Sequence, residues 1–150
     1  MSKRPSTRPL SFIPFCAPLL VAEPPGGDGW IHEIKHDGYR SQLVVDGRSV
    51  CCFTRNGYDW SERYQPMIVA GAMLDCESAI IDGEMIVQGE DGRSDFEALA
   101  GAIRRAPRRL VFFAFDLLHL DGNDLRKRPL LERRALLRDA AGQRALANPA

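Results

Sequence analysis

Short apolar stretches bounded by Asp-Gly and Asn-Gly pairs recur along most of this 150-residue chain. In "VDGRSV" an Asp-Gly pair separates two such stretches, which is a strong β-hairpin signal. We predict strands at about residues 30–35, 39–45 and 49–55, joined by short turns into an antiparallel meander. "SAIIDGEMIV" and "RLVFFAFDLLHL" predict a fourth and a fifth strand. Antiparallel sheet is therefore the expected framework of the fold.

Helices are expected between and after these strands. One begins at Ser61 or Pro66, because proline is tolerated in the first turn of a helix. Ser94 and Glu97 form a capping box that starts a second helix, and apolar residues at helical spacing continue it. A third helix spans about residues 129–141. The sequence thus predicts an α+β fold, an antiparallel sheet with packed helices.

Composition narrows the class of protein. The chain is 45% hydrophobic and 27% charged, as in soluble globular proteins. Its formal net charge is zero, which argues against nucleic-acid binding by bulk positive charge, although arginines cluster locally after residue 103. No apolar run approaches the roughly 18 residues of a membrane span, and no signal peptide is evident. Cytoplasm is therefore the expected compartment. Four cysteines without metal spacing predict reduced, structural thiols.

Strand alternation predicts which side chains meet, because positions two apart share a face. The predicted shared faces are Glu33 with Lys35, Asp82 with Glu84, and Phe113 with Phe115 and Leu117; Ala114 and Asp116 point the other way. Convergence of the polar faces, with Arg40 and Arg55 nearby, would create a pocket suited to a nucleoside phosphate. "KHDG" is explained equally well as an ordinary hairpin end, so the residues alone leave both interpretations open.

A lysine would be the strongest nucleophile in such a pocket, since no Ser/His/Asp arrangement has recognisable spacing. Lysine attacks only as a neutral amine, and the nearby carboxylates of Glu33 and Asp37 oppose loss of its proton. A Mg²⁺ ion carried in with the nucleotide would offset those carboxylates. The residue set therefore predicts a nucleotide–magnesium site, with metal ligands left unassigned.

Four ordered segments resemble the covalent nucleotidyltransferases, and most closely the adenylation domain of ATP-dependent DNA ligases of the bacterial end-joining type. "EIKHDGYR" resembles motif I, "FTRNG" motif Ia, "IIDGEMIV" motif III and "FFAFDLLHLDGNDL" motif IIIa. The resemblance covers about residues 10–142. It implies a partial ATP-grasp-like nucleotidyltransferase domain at 30–142, preceded by an extended lead-in at 1–29 and followed by a tail at 143–150.

The resemblance also implies roles for individual residues. Lys35 would attack the α-phosphate of ATP, form a lysyl-adenylate and release pyrophosphate. The other implied site residues are Glu33 for the adenine amine, Arg40 and Glu84 for the ribose, Phe115 for stacking on adenine, Arg55 for phosphate, and Asp37 for the turn that orients Lys35. ATP and Mg²⁺ are the implied cofactors, and nicked or broken double-stranded DNA is the implied partner, in a bacterial cytoplasm near the nucleoid.

Some parts of that family pattern have no counterpart among these 150 residues. We find neither motif IV nor motif V after motif IIIa, and no OB-fold domain. We therefore expect weak self-adenylation at best and no unaided sealing, with another chain as a possible source of the absent parts. The alternatives are a nucleotide-binding or interaction remnant without turnover, and an RNA ligase or GTP-using capping enzyme.

Overall fold

Five antiparallel strands form one sheet in the computed structural model, which describes residues 8–145 and side chains up to residue 142. The sheet order is β2-β1-β3-β4-β5. The strands are β1 Tyr39–Asp46, β2 Ser49–Thr54, β3 Ser78–Val87, β4 Leu110–Leu120 and β5 Asn123–Asp124; the helices are α1 Gln65–Ala72, α2 Phe96–Arg105 and α3 Leu130–Ala145. The predicted α+β class is confirmed. Residues 1–7 of the predicted lead-in and 146–150 of the predicted tail lie outside the described residues.

The two faces of the sheet have different chemistry. Odd positions of β1 and β3 point into the apolar core, where Leu43, Ile81 and Met85 are each 4% exposed or less. Leu99 of α2 and Leu137 of α3 pack into the same core. Even positions, which alternation places on the opposite face, carry both apolar and polar side chains, and the charged or amide ones are Arg40, Gln42 and Asp46 in β1 and Asp82 and Glu84 in β3. The helices therefore cover one face and leave a polar face available for a site.

The lead-in crosses this polar face without forming helix or strand. The N–H of Leu10 donates to the Asp46 carboxylate at 2.9 Å. Ile13 donates its N–H to the Gln42 side-chain oxygen at 2.8 Å and accepts from the Gln42 amide nitrogen at 3.0 Å. Gln42 is fully buried, so the lead-in satisfies an amide that would otherwise be costly to bury. Residues 10–18 thus form a second layer over β1.

The predicted strand at residues 30–35 is wrong. This segment is irregular, and β1 pairs with β2 on one side and with β3 on the other, in register Tyr39↔Met85. A hairpin through the Asp-Gly turn would need the edge of β1 that β3 occupies. The segment has the composition of a strand but no neighbouring strand among the described residues, and Ile34 is 82% exposed. The predicted meander is replaced by the order β2-β1-β3.

Helix starts agree with the sequence only in part. Pro66 lies in the first turn of α1, as expected. The predicted capping box of α2 is wrong, because Asp95 is the N-cap and its side chain accepts from the N–H of Ala98 at 2.9 Å. Ser94 instead accepts a hydrogen bond from the N–H of Asp37 at 3.0 Å. A residue expected to cap a helix therefore holds the segment next to Lys35.

Asp95→Ala should lower the free energy of unfolding by about 1 kcal/mol, because it removes the side-chain acceptor at the helix N-terminus. Glu90→Ala, on the exposed loop before α2, is the matched control, since it leaves the helix cap intact. Urea unfolding of both variants checks the prediction. Equal stability of Asp95→Ala and Glu90→Ala would contradict the assignment of the cap.

The four cysteines differ in their burial. All four cysteines are free thiols, and burial in the core raises the pKa of Cys52 to about 12, which makes that thiol unreactive. Cys16, by contrast, is exposed rather than structural.

Within residues 8–145, no helix combines the length and apolar character required to cross a bilayer.

Candidate functional site

Two clefts meet at Lys35 on the polar side of the sheet. The first, here called the arginine cleft, has a volume of about 670 Å³ and is lined by Asp37, Arg40 and Arg55. The second, the aromatic cleft, has a volume of about 640 Å³ and is lined by Glu33, Phe113, Phe115 and Arg134. Four residues line both clefts: Pro18, Lys35, His36 and Glu84. Volumes of this size are typical of small-molecule sites.

All seven residues predicted for the site therefore line one or both clefts. Lys35 is exposed and lies at the junction, on the same side of the molecule as Glu84. Phe115 is open to the aromatic cleft rather than enclosed in the core. The irregular segment 30–37, rather than a strand, carries Glu33 and Lys35 to this position. The structure brings the predicted residues together by a route different from the one expected.

Glu84 connects the clefts to the turn after Lys35. Its half-buried carboxylate faces the backbone N–H of Gly38, which lowers the pKa of the Glu84 carboxyl. Burial raises the pKa of the Glu84 carboxyl, while the Gly38 N–H and the positive charges of Lys35 and Arg40 partly oppose the rise. A half-buried carboxylate beside these cations suits recognition of hydroxyl or amine donors.

Glu84→Gln should change the pH dependence of stability. A carboxyl whose pKa is higher in the folded than in the unfolded protein stabilises the fold most below its ordinary pKa, and that contribution falls as the pH rises through the raised value. Glutamine keeps an acceptor for Gly38 but does not ionise. The free energy of unfolding of Glu84→Gln minus that of wild type should therefore be larger at about pH 7.5 than at about pH 4.

Chemical denaturation at the two pH values measures this difference. Glu90→Gln, on an exposed loop, is the matched control for the loss of one negative charge. A difference between Glu84→Gln and wild type that is the same at both pH values would show that the ionisation of Glu84 does not affect folding.

Arg40 is held from three sides. Its guanidinium donates to both oxygens of Asp82, at 3.1 and 2.7 Å, and to the carbonyl of Cys16 at 3.2 Å. The rings of Phe15 and Phe115 lie 4.7 and 5.5 Å from its central carbon. Asp82 raises the pKa of Arg40, whereas burial raises the pKa of Asp82 against the opposing effect of Arg40. The guanidinium is thus positioned before any ligand binds.

The predicted faces of β4 are wrong beyond Phe115 because the strand contains a bulge. Asp82 pairs with Asp116 but the next residue, Gly83, pairs with Ala114, so Phe115 is the extra residue. The bulge puts Asp116 opposite Asp82, on the polar face, and turns Leu117 into the core, where it is fully buried. Strict alternation predicted the reverse for both residues. The extra residue is what allows Phe113, Phe115 and Asp116 to share the side of the clefts.

A second ion pair links this face to α3. Arg133 donates to both oxygens of Asp116, at 2.8 and 2.9 Å, and both side chains are at most 16% exposed. Asp116 raises the pKa of Arg133 and also contributes to the raised pKa of Asp82. Two neighbouring carboxylates on β3 and β4 are therefore each neutralised by a bidentate arginine.

Glu33 is paired with Arg134, the residue after Arg133 on α3. The pair joins the irregular segment 30–37 to α3, and both side chains line the aromatic cleft. The carboxylate that the resemblance assigns to adenine is thus already bonded within the chain. A ligand that uses Glu33 must exchange with Arg134 or share the carboxylate with it.

Sequence reasoning missed several residues of the site: Phe15, the Cys16 carbonyl, His36, Asp116, Arg133 and Arg134. Asp82 was predicted to share the face of Glu84, but its pairing with Arg40 was not predicted. The contacts of the lead-in and of α3 with the clefts carry no local pattern. They depend on the order of the strands and on the bulge at Phe115.

Residues 8–142 contain no group of three or more metal-ligating side chains. Asp37 and Glu84 nevertheless line the arginine cleft and offer carboxylate oxygens. Mg²⁺ is commonly held by one or two carboxylates together with phosphate oxygens and water. This donor set fits Mg²⁺ bound jointly with a nucleotide, and not a metal site made of protein ligands alone.

Comparison with known proteins agrees with this geometry. The sequence model of a family described as "ATP dependent DNA ligase domain" matches residues 21–146. The multifunctional non-homologous end joining protein LigD of Pseudomonas aeruginosa is 41% identical over 119 residues, which cover 79% of this chain and 14% of that protein. The residues matched by the family model include all seven predicted site residues.

Solved structures show the same fold. The crystal structure of the ligase domain from M. tuberculosis LigD has a TM-score of 0.62 and 31% identity, over 70% of this chain and 34% of that one. A mycobacterial DNA ligase D complexed with ATP and MES has a TM-score of 0.59 and 30% identity, with the same coverage. This chain therefore spans about a third of each solved ligase chain.

Proposed function

This chain belongs to the ATP dependent DNA ligase domain family, and we propose that its clefts bind ATP so that Lys35 becomes adenylated. The observation that carries the proposal is the position of Lys35 at the junction of the two clefts, beside Glu84. The aromatic cleft takes the base, and the arginine cleft takes the phosphates. One solved relative with the same fold is described as complexed with ATP, which supports this choice of nucleotide.

The reaction at Lys35 is a phosphoryl-group substitution. The lone pair of the Lys35 Nζ forms a bond to the α-phosphorus, and the bond from that phosphorus to the bridging oxygen breaks. Pyrophosphate leaves with the electron pair, and the amine gives up its proton to solvent. The exposure of Lys35 gives that proton a path to water. The product is a covalent lysyl-adenylate.

Each proposed binding residue contacts one part of the nucleotide, and Glu33 gives up a contact within the chain to do so. Phe115 offers a ring face to adenine, and Glu33 transfers a hydrogen bond from Arg134 to the adenine amine. Arg40 and Glu84 hold the ribose, with Arg40 kept in place by Asp82. Arg55 is exposed at the end of β2 and contacts phosphate. Asp37 keeps the turn next to Lys35, since its N–H is bonded to Ser94.

Mg²⁺ is proposed to be held by the nucleotide phosphates together with Asp37 or Glu84. When bound, the ion would neutralise phosphate charge and so favour attack at the α-phosphorus. Arg40 and Arg55 supply positive charge from the protein side of the same cleft. The chain's own part is to orient the phosphates against the amine.

The test is incubation of the purified chain with Mg²⁺ and ATP labelled at the α-phosphate, followed by acid precipitation. Label that precipitates with the protein is expected, because a covalent phosphoramidate at Lys35 stays on the protein through a brief, cold acid precipitation, whereas free ATP remains in solution. ATP labelled at the γ-phosphate is the control and should leave no label, since that phosphate departs in pyrophosphate. Absence of label from α-labelled ATP would reject self-adenylation by this chain.

Joining of DNA strands is proposed for the complete ligase to which this family domain contributes. The relatives are named as DNA ligases or end joining proteins, and this chain spans 14% of one and 34% of another. Nicked or broken double-stranded DNA is the proposed substrate. Alone, these 150 residues should adenylate weakly and seal no nicks, and residues supplied by another chain would be needed for sealing. A nick-sealing assay with this chain alone checks the expectation.

The second candidate is a nucleotide-binding remnant without turnover. The internal pairing of Glu33 with Arg134 favours it, because a bonded carboxylate resists exchange with a ligand. Binding of ATP without acid-stable label would support the remnant. Parallel incubation with labelled GTP separates a capping-type specificity, for which label from GTP would exceed label from ATP.

A further inference from the structure

The segment that carries Lys35 depends on side-chain contacts for its position. Residues 30–37 have no regular secondary structure, so no ladder of backbone hydrogen bonds fixes them. Lys35 itself is exposed, and Ile34 before it is 82% exposed. His36, which follows it, is half-buried. His36 is therefore better anchored than Lys35.

We propose that His36 is a positioning residue, whose ring stacks on Phe113 and thereby holds the Lys35 amine at the junction of the clefts. This inference rests on the proposed adenylation of Lys35. The ring centroids of His36 and Phe113 are 3.9 Å apart with an interplanar angle of 40°. This is closer than the roughly 4.5–7 Å usual for aromatic pairs, so the two rings are in full contact.

Phe113 is a well-placed anchor for this purpose. It lies opposite Glu84 in the register between β3 and β4, so its side chain shares the face of that carboxylate. His36 lines both clefts together with Lys35 and Glu84. A ring fixed on Phe113 therefore fixes the preceding residue close to Glu84.

Two other contacts of residues 30–37 are made two residues before and two residues after Lys35. Glu33 is tied to α3 through Arg134, and the N–H of Asp37 is tied to Ser94. Between Glu33 and Asp37, His36 is the residue whose side chain packs on the sheet, since Ile34 and Lys35 are exposed. Without its ring, the backbone at Lys35 would lose that contact. The amine would then sample several positions around the junction.

Loss of the ring should lower the rate of chemistry more than nucleotide binding. A displacement of about 1 Å in a reacting group can cost on the order of a hundredfold in rate. We expect His36→Ala to lower the single-turnover rate constant of self-adenylation at saturating ATP by roughly ten- to a hundredfold, with little change in the ATP concentration that gives half the maximal rate. His36→Phe keeps an aromatic ring on Phe113 and should retain most of the rate.

His36→Phe also separates stacking from proton transfer, because phenylalanine has no ring nitrogen. Equal loss of rate in His36→Phe and His36→Ala would show that the imidazole acts through its protons, and would overturn the proposal. A higher half-saturating ATP concentration with an unchanged rate constant at saturating ATP would overturn it too, since that result describes a nucleotide contact.

Hydrogen–deuterium exchange at the amide of Asp37, whose N–H donates to Ser94, gives a readout that needs no activity. This amide should exchange faster in His36→Ala than in wild type, and His36→Phe should not differ from wild type. If wild type forms no lysyl-adenylate, the proposed function fails, and the exchange experiment still decides whether the ring anchors the segment. Unchanged exchange of this amide in His36→Ala, or faster exchange without a lower rate constant of adenylation when wild type does adenylate, would overturn the proposal.

Discussion

Lys35→Ala should abolish acid-stable labelling by α-labelled ATP, reducing it to background. The amine is the proposed attacking group, and it lies at the junction of the two clefts. Removing a covalent nucleophile elsewhere costs on the order of 10⁶ in rate. Lys35→Arg should fail equally, because the guanidinium keeps the charge but is not nucleophilic at neutral pH.

Lys127→Ala is the matched control for this experiment. Lys127 is exposed before α3 and lines neither cleft. It should label as wild type does, and peptide mass spectrometry should place the adenylate on Lys35. Retention of label in Lys35→Ala would reject Lys35 as the nucleophile, and label moving to Lys127 would show nonspecific chemistry.

Gly38→Ala should destabilise the fold by about 3 kcal/mol and displace the segment that carries Lys35. A Cβ atom at Gly38 would lie 2.2 Å from the carbonyl oxygen of Met85 and 2.8 Å from the Ile86 side chain. The oxygen belongs to the backbone of β3, so the clash cannot be relieved by a rotamer change. The pairing of β1 with β3 must therefore open at Tyr39↔Met85.

Gly101→Ala is the matched control, with the opposite expected sign. Gly101 lies in α2, and a Cβ atom at this position would have no neighbouring atom within 4 Å. Alanine therefore adds helix propensity worth about 1 kcal/mol without a clash. Urea unfolding of the two variants measures both effects. A Gly38→Ala variant as stable as wild type would show that β1 and β3 separate easily at this point.

The glycines also explain two of the sequence patterns in physical terms. The Asp-Gly pair before β1 was predicted to be a hairpin turn, but Gly38 is required because the backbone of β3 approaches it closely. Gly83 is equally constrained, since a Cβ atom there would lie 2.5 Å from the Phe112 ring. A close approach between two strands requires glycine, just as a tight turn does, so the two cannot be told apart in the sequence. The pattern was informative although its first interpretation was wrong.

The sequence by itself determined the antiparallel framework, the positions of the four long strands and the set of candidate site residues. Alternation of apolar and polar residues in β1 and β3 is a local property, so it predicted that Asp82 and Glu84 share a face. The ordered motifs predicted a family that the comparisons confirm. The roles of the individual residues stay predictions until the labelling experiments are done.

Only the tertiary structure decided how those residues meet. Strand order is set by which edges are free, and because β3 pairs with β1, the segment with Lys35 is left irregular and dependent on side-chain contacts. The bulge at Phe115 reversed the faces of Asp116 and Leu117, which no alternating pattern can reveal. The contacts of Phe15 with Arg40 and of Arg134 with Glu33 join residues 25 and more positions apart, beyond the reach of any local signal.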